Sequence, residues 1–296
     1  MKKLLTFCSL LVIAGIVFTG CDKNSTEPED TTILYEDAAE SISAATGDES
    51  GGAMESFADI SAVAGGASVS TSLAKSSGES SVMTVATPAE YDPITGWWSV
   101  TINRSRSGII FNYNASVQRV YQYQFQKNGV FQQNRISGND TANTLKFKII
   151  SGSGFFRNAN VHHNLTQLKG AWTATKIDKD TIVLNSDTTY VRSGIDSIIT
   201  RNMIRTFTHT TTMEFSNVKG LRFRPSIINW RSNFHQAVSG TINGTYNAAI
   251  TFERGTAYKE RTINKTFTII LGSGDGSLTI NGGGKFGMNL QEGKRK

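Results

Sequence analysis

Cysteine is almost absent from this chain of 296 residues, which contains only Cys8 and Cys21. Cys8 lies inside an amino-terminal segment that we expect to be removed on export. The mature chain would then keep one cysteine, so no disulfide could form within it. A domain exported without disulfides must be stabilised by its own core, and this chain is long enough to bury one.

Catalytic and metal-binding patterns are also missing. The sequence has no His-Glu-x-x-His, no Gly-x-Ser-x-Gly and no phosphate-binding loop. Its four histidines are His162, His163, His209 and His235, and the adjacent pair would point to opposite faces of a strand, which is poor geometry for one metal ion. We therefore predict no catalytic residue, no metal site, no cofactor and no enzymatic activity. A glycan hydrolase with two opposed carboxylates is the enzymatic alternative.

The first 21 residues have the three-part layout of an export signal. Lys2 and Lys3 precede an apolar run from Leu4 to Phe18, and the small residues Thr19 and Gly20 follow it. The apolar run is shorter than the roughly 20 residues that a membrane-spanning helix needs. We therefore predict a cleaved signal and not a membrane span.

The segment Phe18-Thr19-Gly20-Cys21 resembles the lipobox of bacterial lipoproteins. The resemblance covers residues 1–21 only. It implies that residues 1–20 are removed and that Cys21 carries several acyl chains, palmitate among them, on its sulfur and its new amino group. Two or more chains anchor a protein stably to a membrane surface. An ordinary secretory signal with an unrelated cysteine is the alternative.

The resemblance also places the protein in the bacterial cell envelope. Asp22, which follows the cysteine, is similar to an inner-membrane retention signal of enteric bacteria, whereas other bacterial groups follow different rules. We expect the outer membrane in preference to the inner one, and leave the periplasmic or surface face open.

Residues 21–90 are predicted to be an acidic, low-complexity tether. Residues 22–90 contain 13 acidic residues against Lys23 and Lys75, a net charge of −11, and Tyr35 and Phe57 are their only aromatic residues. Such a segment can bury little apolar surface, which favours a flexible chain.

Two stretches of this tether predict short helices. Thr32–Thr46 and Met54–Ala64 carry apolar residues every three to four positions. Isolated helices of this length are marginal in water unless they dock on another surface.

Residues 91–296 are predicted to form an antiparallel β domain. Apolar and polar residues alternate in Trp98–Asn103 and in Tyr121–Gln126, and Asn128-Gly129 is a strong hairpin signal. Further predicted strands are Leu145–Ile150, Ala171–Ile177, Thr181–Val191, Ile198–Phe215, Leu221–Arg224, Ala237–Ile242, Ala248–Arg254, Thr262–Leu271 and Leu278–Gly282, with turns at Ser137–Asp140, Ser151–Gly154, Asp178–Asp180 and Gly272–Gly276. The fold class is therefore all-β, with a large hairpin-rich sheet as an open barrel, a clam or a sandwich.

The β domain is basic, with 26 bases against 11 acids and a net charge of +15. Such a domain favours anionic partners, including head groups, acidic glycans or its own acidic tether folded back. We expect the membrane as a partner through Cys21, a lipid-like or anionic ligand bound without catalysis, and no specific nucleic-acid binding. A structural or adhesive sandwich that contacts other envelope components is the alternative, and the oligomeric state is left open.

Overall fold

The computed structural model describes residues 31–69, 80–108, 113–157, 161–176, 180–199, 204–224, 230–254 and 257–296. The contacts within the chain divide it into residues 1–34 and a compact unit of residues 35–296. The fold is that of the compact unit. The predicted export signal and Cys21 lie outside the described residues. The helices in the described part are α1 (Thr31–Thr46), α2 (Ala53–Gly65) and α3 (Trp230–Ala237), and none of these described helices has the length and apolarity needed to cross a membrane.

Most of the strands join one antiparallel sheet. It has 14 strands in the order β1-β3-β4-β8-β9-β10-β11-β12-β13-β14-β15-β16, with β2 beside β3 and β5 beside β4, while β6 and β7 form a separate hairpin. The strands are β1 (Ser80–Ala86), β2 (Glu90–Asp92), β3 (Trp97–Gly108), β4 (Tyr113–Lys127), β5 (Val130–Gln132), β6 (Ile136–Ser137), β7 (Asp140–Thr141), β8 (Thr144–Arg157), β9 (Val161–Lys176), β10 (Thr181–Ile199), β11 (Ile204–Leu221), β12 (Ser239–Arg254), β13 (Ala257–Gly272), β14 (Asp275–Ile280), β15 (Gly284–Asn289) and β16 (Lys294–Arg295).

This arrangement confirms the predicted all-β, antiparallel class. Most long strands pair with the strand that follows them along the chain, whereas β5 to β7 lie between β4 and β8 and α3 lies between β11 and β12. The sheet stays open because β1 and β16 lie at its two ends. One continuous open sheet agrees with the open-barrel or clam alternative, since a sandwich requires two sheets packed face to face.

The predicted two-residue period holds along the long strands. On β3, Val100 and Ile102 are buried whereas Asn103 is exposed, and on β4 the same face carries the buried Tyr121 and Phe125. Because side chains alternate between the faces of a strand, one face of the sheet is covered and the other meets solvent. We call the covered face the concave face.

Turn chemistry explains several of the connections. Asn128 and Gly129 have φ of 52° and 83°, the left-handed pair that a type I′ hairpin turn requires, so this predicted turn between β4 and β5 is confirmed. Ser273 and Gly274, with φ of 52° and 81°, make the corresponding turn between β13 and β14.

The predicted turn at Ser151–Gly154 is wrong, because these residues lie inside β8. Gly152 and Gly154 allow the neighbouring strands to approach β8 closely. A Cβ atom on Gly154 would lie 2.2 Å from the carbonyl oxygen of Ser116 on β4, and one on Gly152 would lie 2.8 Å from Cβ of Leu168 on β9. Glycine inside a strand often marks such an approach.

Helices α1 and α2 and the connecting residues 47–52 form a helical hairpin that fills the concave face. Every residue from Ala53 to Val63 is at most 2% exposed, so α2 is enclosed on all sides. Arg104 of β3, Arg192 of β10 and Leu290 all contact the hairpin. The sheet therefore curls around it.

The boundaries of both helices agree with the sequence prediction to within one residue, because Thr32–Thr46 and Met54–Ala64 are observed as Thr31–Thr46 and Ala53–Gly65. The sheet itself begins before residue 91, since β1 spans Ser80–Ala86 and pairs with β3.

Gly154→Ala should destabilise the sheet, because the added methyl group meets main-chain atoms of β4 that have no room to move. We expect the free energy of unfolding to fall by about 1–3 kcal/mol, the usual effect of overpacking, in a denaturant titration. Gly272→Ala is the matched control, since no atom of the described residues lies within 4 Å of its added Cβ. Equal stability of the two variants would contradict this account.

Candidate functional site: the buried arginine cluster

Four arginines lie on the concave face, where the two-residue period otherwise places apolar side chains. Arg104 and Arg106 follow Ile102 on β3, and Arg119 on β4 pairs directly with Ile102. Arg192 projects from β10. All four are at most 6% exposed. We call them the arginine cluster.

Two carboxylates of α2 neutralise part of this cluster. Glu55 and Asp59 are four residues apart, so they lie on one face of the helix. Asp59 accepts two hydrogen bonds from Arg104, at 2.6 Å to Nη1 and 2.7 Å to Nη2. This paired geometry is the strong form of an arginine-carboxylate contact. The hydroxyl of Tyr121 donates a further hydrogen bond to Asp59 at 2.8 Å.

Glu55 lies between three guanidinium groups. Its Oε1 is 2.6 Å from Nη2 of Arg106 and 3.2 Å from Nη1 of Arg104, and its Oε2 is 2.5 Å from Nη2 of Arg119. Burial alone would raise the pKa of Glu55, but the three arginines outweigh burial and lower it from 4.5 to about 2. Glu55 is therefore a buried, charged carboxylate at neutral pH.

Carbonyl oxygens of the helical hairpin also accept hydrogen bonds from the arginine cluster. Arg119 donates to the carbonyl oxygen of Gly51 at 2.8 Å, and Arg192 donates to the same oxygen at 3.1 Å. Arg106 donates to the carbonyl oxygens of Asp48 and Glu49. Two guanidinium groups thus converge on one uncharged oxygen.

Arg192 differs from the other three because it has no carboxylate partner within 4 Å among the described residues. Its hydrogen bonds go to the main-chain oxygens of Ala44, Ser50 and Gly51. Nε and Nη1 of the fully buried Arg119 also have no hydrogen-bond partner in the part of the chain that the structure describes. A buried cation normally has an anionic partner, so the concave face holds more positive charge than the hairpin carboxylates neutralise.

A second polar cluster surrounds Asp196 of β10. Its carboxylate lies 2.8 Å from Nδ1 of His163 and 2.9 Å from Nε2 of His209, and it accepts a hydrogen bond from Ser41 of α1 at 3.2 Å. Burial would raise the pKa of Asp196, yet the two histidines hold it below its usual range. This cluster fixes α1 to β10.

Three of the four histidines are buried and contact a carboxylate. His162 is exposed and His163 buried, as expected for adjacent residues of a strand, and His235 of α3 contacts Asp48 at 2.8 Å. Within the described ranges, no group of three or more histidine, cysteine, aspartate or glutamate side chains is arranged to hold a metal ion.

The acidic segment is folded back onto the basic domain. Besides Asp48, Glu55 and Asp59, every other acid between residues 35 and 69 contacts a residue of the β domain. Asp37 is 3.1 Å from Arg205, Glu36 is 3.3 Å from the guanidinium of Arg295, Glu40 accepts from the main chain of Arg295, and Glu49 accepts from Gln291. The opposite charges of the two regions therefore meet inside one fold.

Asp275 lies in a groove formed by the last strands. The groove has a volume of about 560 Å³ and is lined by residues that include Phe286, Met288 and Lys296. Among the described side chains that line the groove, Asp275 is the one carboxylate, and it contacts Lys296 at 2.6 Å. Two opposed carboxylates, which glycoside hydrolysis requires, are not brought together in this groove.

Sequence reasoning missed the arginine cluster. A usable signal existed, because Arg104, Arg106 and Arg119 occupy the same alternating positions as Ile102, Val117 and Tyr121. A charge on the apolar face of a strand must find a buried partner.

No family model matches this chain, and comparisons with curated proteins and with solved structures find no match either.

Glu55→Gln should destabilise the fold strongly, because it leaves the buried Arg104, Arg106 and Arg119 with one carboxylate fewer. We expect the free energy of unfolding to fall by roughly 3–5 kcal/mol, the usual effect of breaking a buried ion pair. Asp187→Asn is the control, because its ion pair with Lys146 is about one-third exposed and should contribute about 1 kcal/mol or less.

The pH dependence supplies a second check on this variant. The pKa of Glu55 is depressed in the folded state, so its contribution is complete above about 4.5 and is lost as pH falls towards 2. The stability difference between wild type and Glu55→Gln should therefore shrink over this range in denaturant titrations. A difference that does not change with pH would show that the charge on Glu55 is unimportant.

Proposed function

We propose that this chain is a lipid-anchored protein of the bacterial cell envelope and that its β domain binds an anionic, lipid-like ligand at the arginine cluster. Anchoring is supported by the lipobox resemblance at Phe18-Thr19-Gly20-Cys21. The outer membrane remains the favoured location. Binding without catalysis is supported by the charge of the concave face.

The observation that carries the binding proposal is the position of Arg192. It is 5% exposed, it donates hydrogen bonds to main-chain oxygens and lies beside the hydroxyl of Tyr190, and it has no carboxylate within 4 Å in the described part of the chain. Retaining a buried, incompletely neutralised cation costs free energy. Residues that are retained although they destabilise the fold often belong to functional sites. An anionic head group would supply the missing partner.

The apolar surroundings favour a lipid-like ligand over a purely polar anion. The concave face presents large buried side chains beside the arginine cluster, including Tyr121, Phe147 and Trp172. Binding sites for small molecules are commonly apolar with a few polar groups that fix orientation. In the structure described here the helical hairpin occupies this face, so the ligand reaches the arginines only when the hairpin moves.

A structural or adhesive role is the second candidate, and strand β1 favours it. β1 pairs only with β3 among the described residues, and its Met83 and Val85 are more than half exposed. An unpaired edge with exposed apolar side chains can join a strand of another chain. This candidate requires no ligand on the concave face.

Cys21→Ala should release the protein from membranes, because several acyl chains are needed for stable anchoring. Metabolic labelling with palmitate and fractionation of cells would show loss of label and loss of the protein from the membrane fraction. Cys8→Ala is the control and should keep both properties. A Cys21→Ala protein that is still labelled and membrane-bound would refute the anchor.

Arg192→Gln should weaken the binding of dodecyl phosphate at least tenfold, because it removes a buried cation without leaving a carboxylate unpaired. Calorimetric titration of the mature protein in dodecyl maltoside, an uncharged detergent with the same chain length, would measure the affinity. Lys146→Gln makes the same change of charge at an exposed ion pair and should bind normally. If wild type does not bind dodecyl phosphate, the ligand proposal fails and the structural role is favoured.

A further inference from the structure

We propose that the helical hairpin is a releasable internal plug that occupies the binding site of an amphiphile with a phosphate-type head group. This inference rests on the proposed binding function. The hairpin supplies its own oxygen atoms to the arginine cluster in the closed state. The ligand replaces them when the hairpin leaves.

The hairpin presents acceptor oxygen atoms to the arginine cluster at two places. Glu55 places its carboxylate among three arginines, and the carbonyl oxygen of Gly51 accepts hydrogen bonds from both Arg119 and Arg192. A phosphate head group offers several oxygens of this kind, and guanidinium groups bind phosphate well because they can donate two parallel hydrogen bonds.

Charge favours a head group with more than one negative charge. Four arginines face Glu55 and Asp59, and Asp48, at 3.7 Å from Arg106, also contacts His235. A phosphate monoester carries a charge of about −1.5 to −2 at neutral pH. It can therefore replace most of the charge that Glu55 and Asp59 supply together, which a head group with a single negative charge cannot do.

The hairpin occupies space on the concave face that an acyl chain can fill once the hairpin moves. Its buried residues are mostly small, with Ile42, Met54, Phe57, Ile60 and Val63 as the larger apolar residues between positions 38 and 63. The concave face, by contrast, keeps its own large apolar side chains on the strands. Departure of the hairpin would expose an apolar surface with arginines, which matches an amphiphile and not a simple ion.

Apart from the hydrogen bonds that the arginine side chains donate to its carbonyl oxygens, few hydrogen bonds between main-chain atoms hold the hairpin to the rest of the domain. Those within the described ranges join Asp48 to Leu290, Glu49 to Gln291 and Phe223 to Ser61. The sheet is complete without the hairpin because its strands pair with one another. Release of the hairpin therefore breaks no pairing between strands.

The closed state also contains polar atoms without partners. Besides Nε and Nη1 of Arg119, the hydroxyl oxygens of Ser56 and Ser61 on α2 and of Thr211 on β11 are buried without a hydrogen bond to any described residue. Each such atom costs free energy when it is removed from water. These costs reduce the advantage of the closed state and make displacement by a ligand easier.

Hydrogen exchange on the wild-type mature protein tests the plug directly. Dodecyl phosphate is added in dodecyl maltoside micelles, with inorganic phosphate as a parallel probe. We expect dodecyl phosphate to accelerate amide exchange in residues 53–65 at least tenfold and to leave β4, β8 and β10 protected. Inorganic phosphate should have little effect because it lacks the apolar chain, and an equal effect of both probes would overturn the lipid-like part of the proposal.

Two results separate this inference from the proposed function. If calorimetry shows binding but residues 53–65 stay protected, the plug is refuted while ligand binding stands. If calorimetry shows no binding, both proposals fail.

A variant provides an independent measurement. Asp59→Asn removes a hairpin carboxylate that competes with the ligand, so the affinity for dodecyl phosphate should rise about tenfold. Asp187→Asn, at an exposed ion pair, should leave the affinity unchanged. Equal affinities of the two variants would contradict competition between the hairpin and the ligand.

Discussion

Neutralisation of the arginine cluster is the constraint on which the rest of this structure depends. The concave face combines apolar side chains with Arg104, Arg106, Arg119 and Arg192, so neither water nor an ordinary apolar helix can cover it. The cover must be apolar enough to exclude water and must also carry carboxylates and free carbonyl oxygens. Helix α2, with Glu55 and Asp59 one turn apart among small residues, satisfies both requirements.

The same requirement explains the charge asymmetry of the chain. An acidic segment with only two aromatic residues cannot form a core alone, and a basic open sheet cannot leave its apolar face in water. Together they form one compact unit, in which carboxylates of the hairpin meet bases of the sheet at both α1 and α2. Asp196, held between His163 and His209, adds a polar contact to Ser41 of α1.

Local sequence signals predicted most elements of the fold. The periodicity of Thr32–Thr46 and Met54–Ala64 located both helices, and Asn128-Gly129 located a hairpin turn, because these signals act within a few residues. The glycines at Ser151–Gly154 were misleading. Gly152 and Gly154 leave space for Leu168 and for the main chain of Ser116. Neither of these neighbours is close to the glycines in sequence.

The sequence by itself determined the alternation of the strands, the all-β class, the two helices and the opposite charges of the two regions. Only the tertiary structure decided that the acidic segment lies inside the sheet and that Glu55 meets Arg106 and Arg119, which are 51 and 64 positions away along the chain. The physical reason is that periodicity and turn chemistry are local, whereas the partner of a buried charge is chosen by how the whole sheet curls. Arginine at apolar positions is a signal that a buried partner is needed, and this signal, which the sequence analysis missed, does not identify the partner.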